Sequence, residues 1–218
     1  MKAYFISGLA ADSRVFTHIQ LPEGFDVQYI EWITPMKNEG LSAYAQRLAK
    51  QIENDKPFAL VGLSMGGMLA TEIAKTLNPS VTILLSSVPL NAQLPGIFKL
   101  AYKVRLHKLV PISLLKSLSV LKRDFIPDSP EDKVLLKQII KDSDAQFIRW
   151  AIQAILQWKN EVLPPNYWHI HGSKDELLPL KNTQPTHIIK GGNHLMIMSK
   201  ADELNAILAQ ILQKYRDD

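Results

Sequence analysis

The chain of 218 residues has the length of one ordinary domain, or of a core with an inserted lid, and its 46% of hydrophobic residues can form a sizeable core. Its formal charge of +4 is spread along the sequence, and a modest basic cluster within 99–108 has the helical spacing of a solvated face, so we expect no nucleic-acid partner. The absence of cysteine excludes disulfides, thiolate metal sites and a cysteine nucleophile, and no apolar stretch approaches the roughly 18 residues of a membrane helix.

The first predicted strand, 3–6, leads into a loop that begins Ser-Gly-Leu. Gly8 in this loop permits a sharp bend of the main chain. The amide N–H of Leu9 is then the natural donor to an oxyanion. Asp12 or Ser13 would cap the helix that follows. An ordinary strand-to-helix loop is the alternative for this segment.

The N-terminus superficially resembles the start of a signal peptide, because Lys2 precedes the apolar stretch 3–11. The apolar part is short, and Asp12 and Arg14 follow it at once. Cleavage there would also remove the first strand and the loop with Leu9. We therefore expect a retained N-terminus and a cytoplasmic protein.

A strand is predicted over 26–32, an amphipathic helix over 41–52 and a buried strand over 58–63. The buried strand ends in the motif G-x-S-x-G, and a further helical pattern covers 68–77. This strand-to-helix context is the one in which the motif marks a nucleophile elbow, where the chain reverses within about one residue. A glycine-softened turn without chemistry is the alternative.

The elbow places chemical demands on each of its residues. Ser64 must adopt a positive φ so that its Oγ is lifted clear of the sheet. Gly62 and Gly66 lack a Cβ, which lets the strand end and the first helical turn approach each other. The N-terminus of the helix directs its free N–H groups and positive dipole end at an anion beside Ser64, and the Met65 N–H is one oxyanion donor.

After a further core strand at 81–85, the alternation of strands and helices stops. The segment 90–165 carries helical patterns only, which we interpret as a lid inserted over the carboxyl edge of the sheet. Peripheral helical packing without contact to substrate is the alternative. The predicted helices of the insertion are 97–110, 112–121, 131–141 and 145–159. Its aromatic residues fit a core of its own equally well, so none is assigned to substrate.

The alternation resumes with a strand at 167–170, followed by a turn with Asp175 at its apex. A short strand at 186–189 then leads to His194, after which the amphipathic run 195–215 closes the chain. The nucleophile, acid and histidine thus follow one another in the order found on doubly wound sheets. Each lies just past a strand end, at the edge where ligands bind in open α/β sheets.

Roles follow from the chemistry of the three side chains. His194 would take the proton of Ser64 as general base and return it to the leaving group, and Asp175 would fix the imidazole tautomer and stabilise the imidazolium. Other histidines and acids compete by residue type but not by position. They are His18, His107, His169, His171 and His187, and Asp124, Asp128, Asp142, Asp144 and Glu176.

The element order predicts an α/β protein with a doubly wound, mostly parallel sheet of about six strands and helices on both faces. The core comprises 1–89 and 166–218, and the inserted helical lid comprises 90–165. No internal repeat or long linker divides the chain further.

These residues and their order resemble the α/β-hydrolase superfamily, and the resemblance covers nearly the whole chain. The segment 191–199, Gly-Gly-Asn-His-Leu-Met-Ile-Met-Ser, is similar to the histidine loop of small carboxylesterases of the plant methylesterase and hydroxynitrile lyase type. Many members carry His-Gly where this chain has Ser7 and Gly8. The oxyanion donor is a main-chain N–H, so the departure concerns the hydrogen bonds of the loop and the substrate range.

The preferred function is a serine hydrolase that cleaves a small-molecule carboxylic ester, thioester or lactone through an acyl-enzyme on Ser64, with the Leu9 and Met65 N–H groups as the oxyanion hole. A lyase that uses the same triad for acid-base chemistry, and a noncatalytic ligand-binding member of the fold, are the alternatives. No Gly-rich phosphate loop or His-Glu-x-x-His motif occurs, so we expect no cofactor and no metal. Substrate identity, acyl length and oligomeric state are left open.

Overall fold

A computed structural model describes residues 1–103, 127 and 129–216 of the chain. Within these residues six strands form a single parallel sheet in the order β2-β1-β3-β4-β5-β6. The strands are β1 (Lys2–Ile6), β2 (Asp26–Tyr29), β3 (Phe58–Leu63), β4 (Val81–Leu85), β5 (Tyr167–Gly172) and β6 (His187–Ile189). The doubly wound α/β fold expected from the sequence is therefore confirmed.

Helices connect the strands and close the chain. The α-helices within the described residues are α1 (Leu41–Leu48), α2 (Met65–Leu77), α3 (Gly96–Lys103), α4 (Pro130–Asp142), α5 (Ala145–Gln157), α6 (Met196–Ser199) and α7 (Ala201–Leu212). Short 3₁₀ helices occur at Ser13–Phe16, Ala49–Gln51, Asn91–Gln93, Leu180–Asn182 and Gln213–Tyr215. The helix expected after Asp12 is thus only a 3₁₀ turn, which Asp12 caps by accepting from the Arg14 N–H.

The second strand is shorter than its apolar pattern predicts, because side chains take over the hydrogen bonds of its main chain. The Ile30 N–H still donates to Phe5, but the Glu31 N–H donates to the side chain of Gln51 at 3.1 Å. The Ile33 N–H likewise donates to the Tyr44 hydroxyl at 3.1 Å. The chain therefore leaves the sheet after Tyr29 and packs against α1 and its extension.

Alternating residues of the strands bury two cores on opposite faces of the sheet. On β1, Tyr4 and Ile6 pack with α1 and α2, whereas Ala3 and Phe5 pack with α7 and the 3₁₀ turn Ser13–Phe16. The sheet is thus covered on both sides, as a parallel sheet requires.

The strand order reverses at β1, which has β2 on one side and β3 on the other. Crevices at such a switch point, outside the carboxyl ends of the strands, are where α/β sheets bind ligands. The loop after β1 and the turn after β3 meet at this point, since a Cβ on Gly8 would lie 3.4 Å from the Cβ of Ser64.

Helices α3, α4 and α5 occupy the segment between β4 and β5. Helix α5 packs on α1, where the rings of Tyr44 and Trp150 lie 4.3 Å apart between centroids. Helix α4 ends at Asp142, which pairs with Arg14 in the 3₁₀ turn near the N-terminus, and Arg14 also pairs with Asp12.

Several predicted features of the insertion lie outside the described residues. They are the helix 112–121, the second half of the helix 97–110, and His107, Asp124, Phe125 and Asp128. None of the helices in the described ranges combines the length and hydropathy needed to cross a membrane. The same ranges contain no cluster of three or more His, Asp or Glu arranged to hold a metal ion.

Candidate active site

The turn between β3 and α2 holds Ser64 in a strained conformation, with φ 52° and ψ −117°. Non-glycine residues rarely adopt a positive φ. The Ser64 N–H donates to the Leu85 carbonyl at 2.9 Å, and the Ser64 carbonyl accepts from the Ser87 hydroxyl at 2.6 Å. The end of β4 therefore holds the turn from both sides of the peptide, which is how such strain persists in a fold.

Two glycines allow the elbow to pack closely. A Cβ built on Gly62 would lie 2.3 Å from the carbonyl oxygen of Gly66. One built on Gly66 would lie 2.2 Å from the carbonyl oxygen of Ile6 and 2.4 Å from that of Ser7. The start of α2 thus presses directly on β3 and on the end of β1, as the motif predicts.

The loops that carry the acid and the histidine are also joined by a close glycine contact. A Cβ on Gly172, at the end of β5, would lie 2.3 Å from the carbonyl oxygen of Gly192. The Lys174 N–H donates to that same oxygen at 2.8 Å. The turn before Asp175 and the loop before His194 therefore lie against each other, although the sequence assigned no role to these two glycines.

The structure brings the three predicted side chains together. His194 Nε2 lies 2.9 Å from Ser64 Oγ, and His194 Nδ1 lies 2.8 Å from Asp175 Oδ2. Because the ionised carboxylate can only accept, Nδ1 carries the proton of the neutral ring and Nε2 is free to accept from the serine hydroxyl. This is the arrangement in which a serine hydroxyl can be activated as a nucleophile.

Asp175 is buried, with 4% of its surface exposed. Burial acts to raise its pKa, but the positive charge and hydrogen bond of His194, the Leu178 N–H and the nearby His171 together hold the pKa below its ordinary value. The Leu178 N–H donates to Asp175 Oδ1 at 2.8 Å. The carboxyl group is therefore ionised near neutral pH, as an acid that orients a histidine must be.

The loop after β1 is closed by hydrogen bonds to one carbonyl. The Ala11 carbonyl accepts from the Ser7 hydroxyl at 3.0 Å and from the Trp32 indole N–H at 2.7 Å. The positive φ of this loop, 58°, lies at Ala10 and not at Gly8, whose role is its close approach to Ser64. Ser7 thus supplies a loop contact where the family pattern has a histidine.

The two predicted oxyanion donors belong to the two segments that meet at Ser64. Leu9 follows Gly8, and Met65 is the first residue of α2. Among the described residues neither amide N–H donates to a protein acceptor. Their role as oxyanion donors stays a prediction.

The competing residues within the described chain have other partners. His18 pairs with Asp132 at 2.8 Å, and His187 lies on the edge strand β6. Asp144 caps α5 by accepting from the Phe147 N–H, and Asp142 pairs with Arg14. Among the described residues, none of these four side chains contacts Ser64.

One residue that the sequence set aside does reach the site. His171, interpreted from the sequence as a strand residue only, lies 3.3 Å from Asp175 Oδ2 through its Nε2 atom. The sequence signal that could have indicated this role is its position, four residues before Asp175 and at the end of the strand that leads to the acid.

A cavity of about 580 Å³ opens beside the loop after β1. It starts at Ala10, the residue after Leu9, and does not include Ser64 or His194 in its lining. Its aromatic walls are Trp32, Phe147 and Trp150, and the indole N–H of Trp150 is bonded to the Glu39 carbonyl. The cavity therefore borders the loop that carries Leu9.

The fold and the geometry at the switch point define the class of this protein. A family model described as the alpha/beta hydrolase family matches residues 8–207, and the chain belongs to that family. No curated protein matches the chain by sequence.

Solved structures show the same fold at low identity. MenH from S. aureus is similar with a TM-score of 0.73 and 18% identity, over 100% of this chain and 95% of that one. A putative aryl esterase from Burkholderia cenocepacia has a TM-score of 0.71 and 15% identity, over 100% and 91%. A thermophilic esterase from Thermogutta terrifontis, with malate bound, has a TM-score of 0.69 and 16% identity, over 98% and 90%.

Proposed function

We propose that the protein is a serine hydrolase that cleaves a carboxylic ester, thioester or lactone of a small molecule. The observation that carries this proposal is the position of His194, within hydrogen-bonding distance of both Ser64 Oγ and Asp175 Oδ2. Membership of the alpha/beta hydrolase family and the esterases among its structural neighbours support it.

In the first half of the reaction, Ser64 Oγ attacks the carbonyl carbon while His194 Nε2 takes the hydroxyl proton. The imidazolium formed is stabilised by Asp175 Oδ2, which already accepts the Nδ1 proton. The tetrahedral oxyanion accepts from the Leu9 and Met65 N–H groups, each worth roughly 3 kcal/mol in comparable sites. Return of the proton from Nε2 to the alkoxide expels the alcohol and leaves an acyl-enzyme.

In the second half, water takes the place of the alcohol. His194 Nε2 removes a proton from the water, whose oxygen attacks the acyl carbon, and the same two N–H groups hold the second oxyanion. The proton then returns to Ser64 Oγ, which leaves with its electron pair and releases the acid. The reaction consumes only the ester and water, so the proposed mechanism needs no cofactor.

We assign segment 90–165 as a lid and the cavity beside Leu9 to the apolar part of the ester. Helix α5 supplies Phe147 and Trp150 to that cavity and packs on the core through Tyr44. Four carboxylates also line the cavity, and three of them are paired with arginines. Aromatic walls with balanced charge favour an uncharged substrate group.

Labelling with a fluorophosphonate tests the nucleophile directly. We expect a single adduct on Ser64 in the folded protein, none in Ser64→Ala, and ester turnover that disappears in the same variant. Turnover is measured with p-nitrophenyl esters of rising acyl length. Ser80→Ala, which changes a serine just before β4, at the sheet edge opposite to Ser64, is the matched control.

The outcomes separate the alternatives. Absence of an adduct in folded wild-type protein contradicts the serine hydrolase proposal and favours a ligand-binding protein. An adduct on Ser64 without turnover of any ester contradicts ester hydrolysis and favours a lyase that uses the three side chains for acid-base chemistry.

A further inference from the structure

Two buried histidines lie behind the candidate triad. His169 and His171 are two residues apart on β5, so their side chains share one face of the sheet, and they are 1% and 0% exposed. Their rings are nearly perpendicular, and His169 Nε2 lies 3.1 Å from His171 Nδ1. Burial lowers the pKa of both rings, that of His169 to about 3, so both are neutral near pH 7.

The surroundings of His171 fix which of its nitrogens carries the proton. Its Nε2 lies 2.7 Å from the Leu178 carbonyl oxygen and 3.3 Å from Asp175 Oδ2. Both groups only accept hydrogen bonds, so Nε2 must be the donor. The Nδ1 atom of the neutral ring is then unprotonated and faces His169 Nε2. His169 also has the Ser87 carbonyl as a hydrogen-bond partner.

His171, Leu178 and Asp175 form a closed set of contacts around the carboxylate. The Leu178 N–H donates to Asp175 Oδ1 at 2.8 Å, and the Leu178 carbonyl accepts from His171. The Asp175 Oδ2 atom receives His194 Nδ1–H at 2.8 Å with His171 Nε2–H beside it. Rotation of a carboxylate about its last bond is otherwise only weakly restricted. Donors to both oxygens therefore set the plane in which Oδ2 faces His194.

We infer that His171 is a positioning residue for the reaction at Ser64, and that it acts by holding the carboxylate of Asp175 in the plane that orients His194. This inference rests on the proposed function. It has two consequences beyond packing. Loss of the Nε2 donor releases the Leu178 main chain, whose N–H holds Oδ1, and removes the polar contact at Oδ2, so the carboxylate can rotate. We expect kcat to fall and KM to stay unchanged. The pH profile of kcat/KM should change as well, because the carboxylate no longer presents Oδ2 to the base in one fixed orientation.

The experiment compares His171→Leu with His171→Gln. The Leu variant has no donor, and we expect kcat for a p-nitrophenyl ester to fall roughly 10- to 100-fold, the range caused by small misplacements of catalytic groups. The Gln side chain places an N–H near the Nε2 position and should recover most of that loss and the wild-type pH profile. His187→Leu, on the neighbouring strand β6 at the sheet edge, is the matched control and should leave kcat unchanged.

A measurement on the wild-type protein covers the case in which His171→Leu fails to fold. The ¹⁵N chemical shifts of the His171 ring distinguish the two neutral tautomers, and we expect the proton on Nε2. A proton on Nδ1 overturns the inference, as does a Leu variant with wild-type kcat and pH profile. Equal losses in the Leu and Gln variants also overturn it, since they indicate packing alone. If wild-type protein neither labels at Ser64 nor turns over esters, that result contradicts the proposed function itself, whatever the His171 variants show.

Discussion

At the scale of single residues, the site depends on glycines, because main-chain segments pack there too closely to leave room for a Cβ atom. Ser64 keeps a positive φ because β4 bonds both its N–H and its carbonyl. The same turn packs against the end of β1, and the loop that follows β1 contains Leu9. The contact at Gly66 therefore holds the turn with Ser64 against the segment that leads to Leu9.

Gly66→Ala should disturb both the fold and the site. Its Cβ would lie 2.2 Å from the Ile6 carbonyl oxygen and 2.4 Å from that of Ser7, and main-chain atoms cannot move aside as a flexible side chain does. We expect the free energy of unfolding to fall by about 3 kcal/mol, the upper range for overpacking. We also expect ester turnover to fall at least tenfold in the protein that remains folded, because the loop with Leu9 is displaced.

Urea unfolding and a kinetic assay measure the two effects, and Gly96→Ala is the matched control. Gly96 begins α3, and a Cβ there meets no atom of the described residues within 4 Å. Alanine also favours a helix over glycine, so stability should be unchanged or slightly higher. Wild-type stability in Gly66→Ala would show that the contact is not as rigid as its distances imply.

At the scale of elements, the sequence predicts best where the chain is buried on both faces. The apolar runs 58–63 and 81–85 become β3 and β4 with those bounds, because the central strands of a parallel sheet are buried on both faces and so consist of continuous apolar residues. The run 26–32 is misjudged because side chains of Gln51 and Tyr44, distant in sequence, bond its second half. Local pattern carries no signal of such partners.

The same distinction holds within the site. The order of Ser64, Asp175 and His194 at successive strand ends predicts their meeting, since the carboxyl ends of parallel strands share one edge. The role of His171 could not be predicted, because it arises when the turn after β5 folds back and places the Leu178 carbonyl and Asp175 against one ring nitrogen. These contacts form only in the folded chain, so the pattern of apolar residues in the sequence gives no sign of them.

The proposed contribution of α5 to substrate binding predicts a change in acyl preference. Trp150 forms one wall of the cavity next to Ala10. Trp150→Ala should raise KM for a p-nitrophenyl octanoate roughly tenfold, since it removes part of the apolar surface that the chain would bury. KM for the acetate, which is too short to occupy the cavity, should not change.

The ratio of the two KM values is the informative quantity, because it does not depend on how much of the variant is folded. Trp168→Ala is the matched control, since Trp168 lies on β5 with its indole bonded to Tyr215 and contributes no atom to the cavity lining. An unchanged ratio in Trp150→Ala would remove the assignment of this cavity to the acyl chain.

At the scale of the whole molecule, the groups of the proposed mechanism lie at the carboxyl edge of the sheet, and the two hydrophobic cores lie on its two faces. The His169 and His171 rings extend the polar site into the interior along β5. A polar chain in that position stabilises the fold only while its groups keep the protonation state for which they are buried. The stability of the entire domain is thereby coupled to pH.

The free energy of unfolding should fall as the pH drops below about 6.5. Burial, together with the nearby His171, lowers the pKa of His169 to about 3 in the folded protein, whereas in the unfolded chain it titrates near its ordinary value. Between these values the unfolded chain binds a proton that the folded chain does not, so stability is full above pH 6.5 and is lost toward acid by at most about 1.4 kcal/mol per pH unit for this group. The lowered pKa of Asp175 acts in the same direction at still lower pH. Urea unfolding at pH 7.5, 6.0 and 5.0 measures the slope. His169→Asn should reduce the slope but not abolish it, because burial also lowers the pKa of His171, which remains in the variant. An equal slope in wild type and variant would mean that His169 does not control the acid response.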